Sequence, residues 1–145
     1  MKKLILILVV IILSACTNSK YGNYIKNLPE NYNHILAQNA YTQLSILYQP
    51  NKTTFKLSHE FNDAFGIDLY EKLKKSGYVI YQYNNEKKSS ADTEEVTGTT
   101  LAYVIDTTDK NIYRVILYVD GKQLTKCFLI KDNEVKSLAF WTKQE

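Results

Sequence analysis

Leu13-Ser14-Ala15-Cys16 is the string whose residue types and spacing point most directly to chemistry. Lys2 and Lys3 stand ahead of an apolar run at residues 4–13, and two small residues then lead into a cysteine, which is the lipobox form of a secretory signal. In that pattern signal peptidase II cuts between Ala15 and Cys16. The Cys16 thiol carries a diacylglyceryl group, and the new α-amine is normally acylated. Residues 1–15 are therefore expected to be a lipoprotein signal peptide, with Cys16 as the lipid attachment site. The apolar run would rise only about 15 Å as a helix, half of a hydrocarbon core of about 30 Å, so it is an h-region and not a span. Thr17 follows the cysteine where Asp would retain the protein at the inner membrane. The expected location is the outer membrane of a two-membrane cell, lipid-anchored and facing the periplasm.

The remaining reactive side chains do not assemble into a known catalytic pattern. His34 and His59 are the only histidines, and no Gly-x-Ser-x-Gly string accompanies them, so both are expected to be exposed or capping. There is no His-Glu-x-x-His, no Cys-x-x-Cys, no calcium-type Asp-x-Asp loop and no phosphate-binding glycine loop. No metal, cofactor or catalytic residue is expected, and an ATPase is excluded. With Cys16 lipidated, Cys127 is left alone. No intramolecular disulfide can then form, and its place in the strand-like run at residues 124–130 predicts a buried, inert thiol. Arg114 is the only arginine, and its planar donors suit either a fixed contact, Asp106 being a candidate, or a partner. Tyr113 and Arg114 are adjacent in a strand and face opposite sides, which weakens any joint nucleic-acid platform. Without Lys2 and Lys3, 16 basic residues face 15 acidic ones, so direct nucleic-acid binding is not expected.

The elements that position these residues follow from periodicity. Residues 17–30 lack it and read as a tether after the lipid, with Tyr21, Tyr24, Ile25 and Leu28 able to pack on the domain or on a neighbouring subunit. Leu36, Ala40, Leu44 and Leu47 predict a helix over residues 32–47, capped by Asn31 or Asn33, with Pro50 beyond its end. Phe55 and Leu57 alternate in a strand over 53–58. Phe61, Phe65, Leu69 and Leu73 predict a second helix, with Asn62 or Asp63 near its start and Gly77 as a left-handed stop. Gly66 inside that helix points to close backbone packing. Residues 78–83 carry large side chains on both faces, as a central strand does, and the polar stretch 84–100 reads as a loop. Four β-rich runs come next, at 101–106, 112–119, 122–130 and 135–142, with Asp120-Gly121 as the strongest turn signal. The expected organisation is a signal peptide at 1–15, a lipidated tether at 16–30, and a single α+β periplasmic domain at 31–145. Its fold class is two amphipathic helices packed on one face of a mostly antiparallel β-sheet ending in a four-stranded meander.

Several strings in this order resemble the TrbH family, small lipoproteins of plasmid conjugation. They are Ser19-Lys20-Tyr21-Gly22-Asn23 after the lipobox, the first helix ending at Pro50, and Asp63-Ala64-Phe65-Gly66 leading to Gly77-Tyr78-Val79. Tyr103-Val104-Ile105-Asp106, Ile112-Tyr113-Arg114-Val115, Leu124 and the terminal Trp141-Thr142-Lys143 continue the match. The loop at 84–100 and Leu138-Ala139-Phe140 depart from the pattern. The resemblance implies a non-enzymatic, outer-membrane lipoprotein component of a conjugative type IV secretion or mating-pair formation apparatus, a structural tether for DNA transfer. Its partners would be other mating-pair formation proteins and the membrane, through the N-terminal lipid, with an oligomer within the complex as one arrangement. The alternative is a free-standing periplasmic binding lipoprotein that regulates an envelope enzyme.

Overall fold

The computed structural model describes residues 20–84 and 97–145; the signal segment, Ala15 and Cys16, and most of the polar stretch lie outside the described residues. Helix α1 (Glu30–Leu47) buries Leu36, Ala37, Ala40 and Leu44 as a single stripe, whereas Leu47, expected on that stripe, is exposed at the last turn. Neither Asn31 nor Asn33 caps it. Pro29 occupies the cap position, and Asn33 is buried, its Nδ2 donating to the carbonyls of Leu28 at 3.1 Å and Pro29 at 3.3 Å. A 3₁₀ turn at Pro50–Lys52 separates α1 from strand β2 (Thr54–Leu57), in which Phe55 and Leu57 point into the core.

Helix α2 (Ala64–Lys75) starts where Asp63 Oδ1 accepts from the backbone N–H groups of Phe65 at 3.0 Å and Gly66 at 3.1 Å. This satisfies donors that the first turn leaves open. Phe61 lies ahead of the helix, so the buried stripe runs Phe65, Leu69, Leu73, and Gly77 ends it at φ 88°. Strand β3 (Val79–Tyr81) then returns parallel to β2. It is an edge strand and not the central one that its large side chains predicted. Val79 and Tyr81 stand 54% and 46% exposed on the sheet face away from the helices, so apolarity on both faces marks an uncovered surface rather than double burial.

Strands β4 (Thr99–Asp109), β5 (Ile112–Val119) and β6 (Lys122–Lys131) form the expected antiparallel centre. Asp120 at φ 48° and Gly121 at φ 78° make the β5–β6 turn, a conformation in which glycine carries no Cβ penalty. The last expected strand is split. Strand β7 (Glu134–Ser137) pairs with one half of β6 and β8 (Thr142–Gln144) with the other, joined by an arch in which Phe140 is exposed and Trp141 packs on the core. Strand β1 (Gly22–Asn23) lies parallel to β4 on the edge that β2 also occupies further along. The sheet order is β3-β2-β4-β5-β6-β7, with β1 beside β4 and β8 beside β6.

Both helices cover one face of this mostly antiparallel sheet. Phe55 and Leu57 of β2, Leu101, Tyr103 and Ile105 of β4, Val115, Leu117 and Val119 of β5, and Leu124 and Phe128 of β6 meet the α1 and α2 stripes in one core. Alternation places Ala102, Val104, Ile116, Tyr118 and Cys127 on the opposite face. The Asp106–Arg114 cross-strand pair lies there as well: Arg114 Nε donates to Asp106 Oδ1 at 2.9 Å and Nη2 to Oδ2 at 2.5 Å. The fork is half-exposed, so Arg114→Met should cost only about 1 kcal/mol in urea denaturation. A loss above about 3 kcal/mol, the cost of leaving a buried charge unpaired, would contradict this.

Candidate functional site

The sequence-predicted site residues Ala15 and Cys16 lie outside the described residues. From Tyr21 onward the chain is attached to the domain. Gly22 and Asn23 pair with Val104 and Ile105, and the Tyr24 N–H donates to the Ile105 carbonyl at 2.9 Å. Asn23 Oδ1 accepts from the Ile25 N–H at 2.9 Å, while its Nδ2 reaches Asn33 Oδ1 of α1 at 3.4 Å. Ile25 and Leu28 pack against the core, and Tyr24 is exposed. Of the two placements open to this segment, the structure has the one on its own domain.

Tyr21 completes the attachment with its ring. Gly22 takes φ 125°, a left-handed turn of the chain, and the Tyr21 ring centroid lies 5.6 Å from that of His59 and 5.3 Å from that of Tyr118. His59 follows β2 and is buried, 8% exposed, between Tyr21, Phe61 and Tyr103, with ring centroids 5.0 Å and 4.6 Å from the latter two. This corrects the expectation of an exposed or capping histidine. Neither ring nitrogen has a hydrogen-bond partner among the described residues. The apolar walls disfavour the charged imidazolium and lower its pKa to about 4, with the Asp63 carboxylate pulling weakly the other way. At neutral pH the ring is therefore uncharged and packed among aromatic neighbours.

Burial of this ring makes the fold sensitive to acid. Well above pH 6.5 His59 is neutral whether the chain is folded or not, and its contribution is complete. Between 6.5 and about 4 the unfolded chain takes up a proton that the folded chain refuses, so stability falls as pH falls, by up to about 3 kcal/mol. Urea midpoints compared at pH 7 and pH 4.5 should show the drop, and His59→Phe should flatten it. The same slope in parent and variant would refute the assignment.

Beneath His59 lies the contact that joins α2 to the sheet. The Tyr103 hydroxyl, fully buried, donates to Asp63 Oδ2, so one carboxylate caps the helix through Oδ1 and holds β4 through Oδ2. Burial and that carboxylate keep the Tyr103 hydroxyl protonated far above the ordinary tyrosine range. Gly66 sits against the same hydroxyl, where a Cβ would overlap Tyr103 Oη and lie 3.0 Å from Phe61 Cα. The close packing read from Gly66 is present. Its partner, Tyr103, was not legible, because nothing local ties a β4 residue to the start of α2.

The other candidates scatter over the fold. His34 is exposed on α1, with Nδ1 3.0 Å from Asp68 Oδ2 of α2, beside a groove of about 720 Å³ that also presents Glu30 and Glu71. His34 and His59 lie in different parts of the fold and share no contact, so no two-histidine site is assembled. Cys127 is a free thiol, half-buried on the helix-free face rather than in the core as expected, because its register partner is Arg114 and not a core residue. Among the described residues no group of three acidic, histidine or cysteine side chains is placed to hold a metal ion, and no helix is long and apolar enough to cross a membrane.

A family model described as "Conjugal transfer protein TrbH" matches residues 18–145. No curated protein and no solved structure matches the chain.

Proposed function

Because the chain belongs to the TrbH family of conjugal transfer proteins, we propose that it is an outer-membrane lipoprotein component of a conjugative type IV secretion or mating-pair formation apparatus, acting as a structural tether and not as an enzyme. The lipid is on Cys16, left at the new N-terminus after cleavage behind Ala15. One observation carries the tethering role: the chain five residues beyond Cys16 is already fixed to the domain, through the Tyr21 ring contacts and the β1–β4 pairing. A flexible spacer would let the domain wander, whereas this attachment transmits position from the membrane to the fold. Its partners are other mating-pair formation proteins, reached by contact.

The non-enzymatic reading draws support from the two histidines, one packed among rings and one exposed and paired across helices. In a deletion strain complemented with the gene, substituting His34→Gln and His59→Gln together should leave conjugation frequency near the parental value, because neither residue moves a proton. Loss of transfer at an unchanged level of folded protein would turn the histidines into a reactive site and contradict the proposal.

A further inference from the structure

We infer that the helix-free face of the sheet lies on the phospholipid surface that holds the anchor, a reading that rests on lipidation of Cys16. The length of chain between lipid and fold carries the inference. Tyr21 is held against Tyr118, whose register partners Ala102 and Gln123 put it on the face away from both helices. Four residues lie between Cys16 and Tyr21, so five Cα steps span at most about 18 Å even when fully extended. A domain of this size has a radius of gyration of about 14 Å and hence a width of about 35 Å. The leash is therefore about half the width of the domain. It brings the Tyr21–Tyr118 side down to the headgroups and keeps the outer surfaces of α1 and α2 away from them.

The chemistry of the face suits that neighbour. Tyr81 and Val79 on β3 are exposed on this side of the sheet, with Lys56 beside them on β2 and Tyr118 half-buried on β5, whereas Ala102, Val104 and Ile116 at its centre are buried. Tyrosine rings with an apolar body and a polar tip are at home at headgroup level, and lysines there meet lipid phosphates. Lys20, with its ammonium 5.3 Å from the centre of the Tyr21 ring, adds a second cation beside the leash.

Cys127 is a native reporter, being a free thiol on this face, whereas the Cys16 sulfur is consumed by the lipid. Full-length lipoprotein, its acylation checked by mass, is labelled at Cys127 with a thiol-reactive fluorophore. It is then reconstituted into phosphatidylethanolamine–phosphatidylglycerol vesicles doped with a headgroup nitroxide lipid. A second form, Cys127→Ser with Gln38→Cys, carries the label on the exposed side of α1. Quenching several-fold stronger at Cys127 than at position 38 is expected. Equal quenching, or stronger quenching at position 38, would overturn the orientation. So would an unquenched label at Cys127 together with cross-linking of the unlabelled protein to a second copy through that thiol, since the face would then be covered by protein. A protein of unacylated mass would instead overturn the lipid reading on which the orientation rests.

Discussion

Cys16→Ser is expected to abolish fatty-acid incorporation and to leave the protein at precursor size, because signal peptidase II acts only after the thiol carries its diacylglyceryl group. Two or three acyl chains hold a protein at a membrane far more firmly than one, whose binding is marginal and reversible, so the change between parent and variant should be all or none. Metabolic labelling with a fatty-acid analogue, read together with gel mobility, checks both parts. Equal label in the two proteins would remove Cys16 from the account. Cleavage without label would show that residues 1–15 act as an ordinary secretory signal instead.

The largest expected loss of stability lies where α2 meets the sheet. Gly66→Ala would raise the stability of an unhindered helix by about 1 kcal/mol. Here the added Cβ overlaps Tyr103 Oη and presses on Phe61, forcing the Tyr103–Asp63 hydrogen bond apart in a buried place. Overpacking combined with a lost buried hydrogen bond should cost about 2–4 kcal/mol. Asp63→Ala should cost a similar amount, about 1 kcal/mol for the cap and about 1–3 for the stranded hydroxyl. Tyr103→Phe should restore part of the stability of Gly66→Ala, since it removes the atom that the methyl strikes. Urea midpoints of the single and double variants decide it, and a Gly66→Ala midpoint at or above the parent would contradict the packing.

Features fixed by neighbours along the chain were readable from sequence. The α1 and α2 stripes, the Asp63 cap, the left-handed Gly77 and the Asp120-Gly121 turn all depend on residues within a few positions of one another. The Asp106–Arg114 pair belongs with them, being a hairpin contact. What sequence left open or misplaced depends on pairings made far along the chain. β1 finds β4, Tyr21 finds His59 and Tyr118, and Tyr103 finds Asp63, all across long separations without a local signal. β3 is at the edge because β4 took the other side of β2, a choice its own residues do not encode. His59 is buried because Tyr21 and Phe61 close over it, and Cys127 faces outward because of the β5–β6 register.

The tethering role is tested most directly by conjugation frequency in a deletion strain that makes either the full lipoprotein or the same domain exported to the periplasm behind a cleavable, non-lipid signal. Anchoring raises the effective concentration of a domain at its assembly site, by factors of about 10²–10⁴ in linked systems. At equal levels of folded protein, the unanchored form should therefore transfer DNA about 100-fold less often or worse. Equal transfer by the two forms would show that position at the membrane is not what this protein contributes.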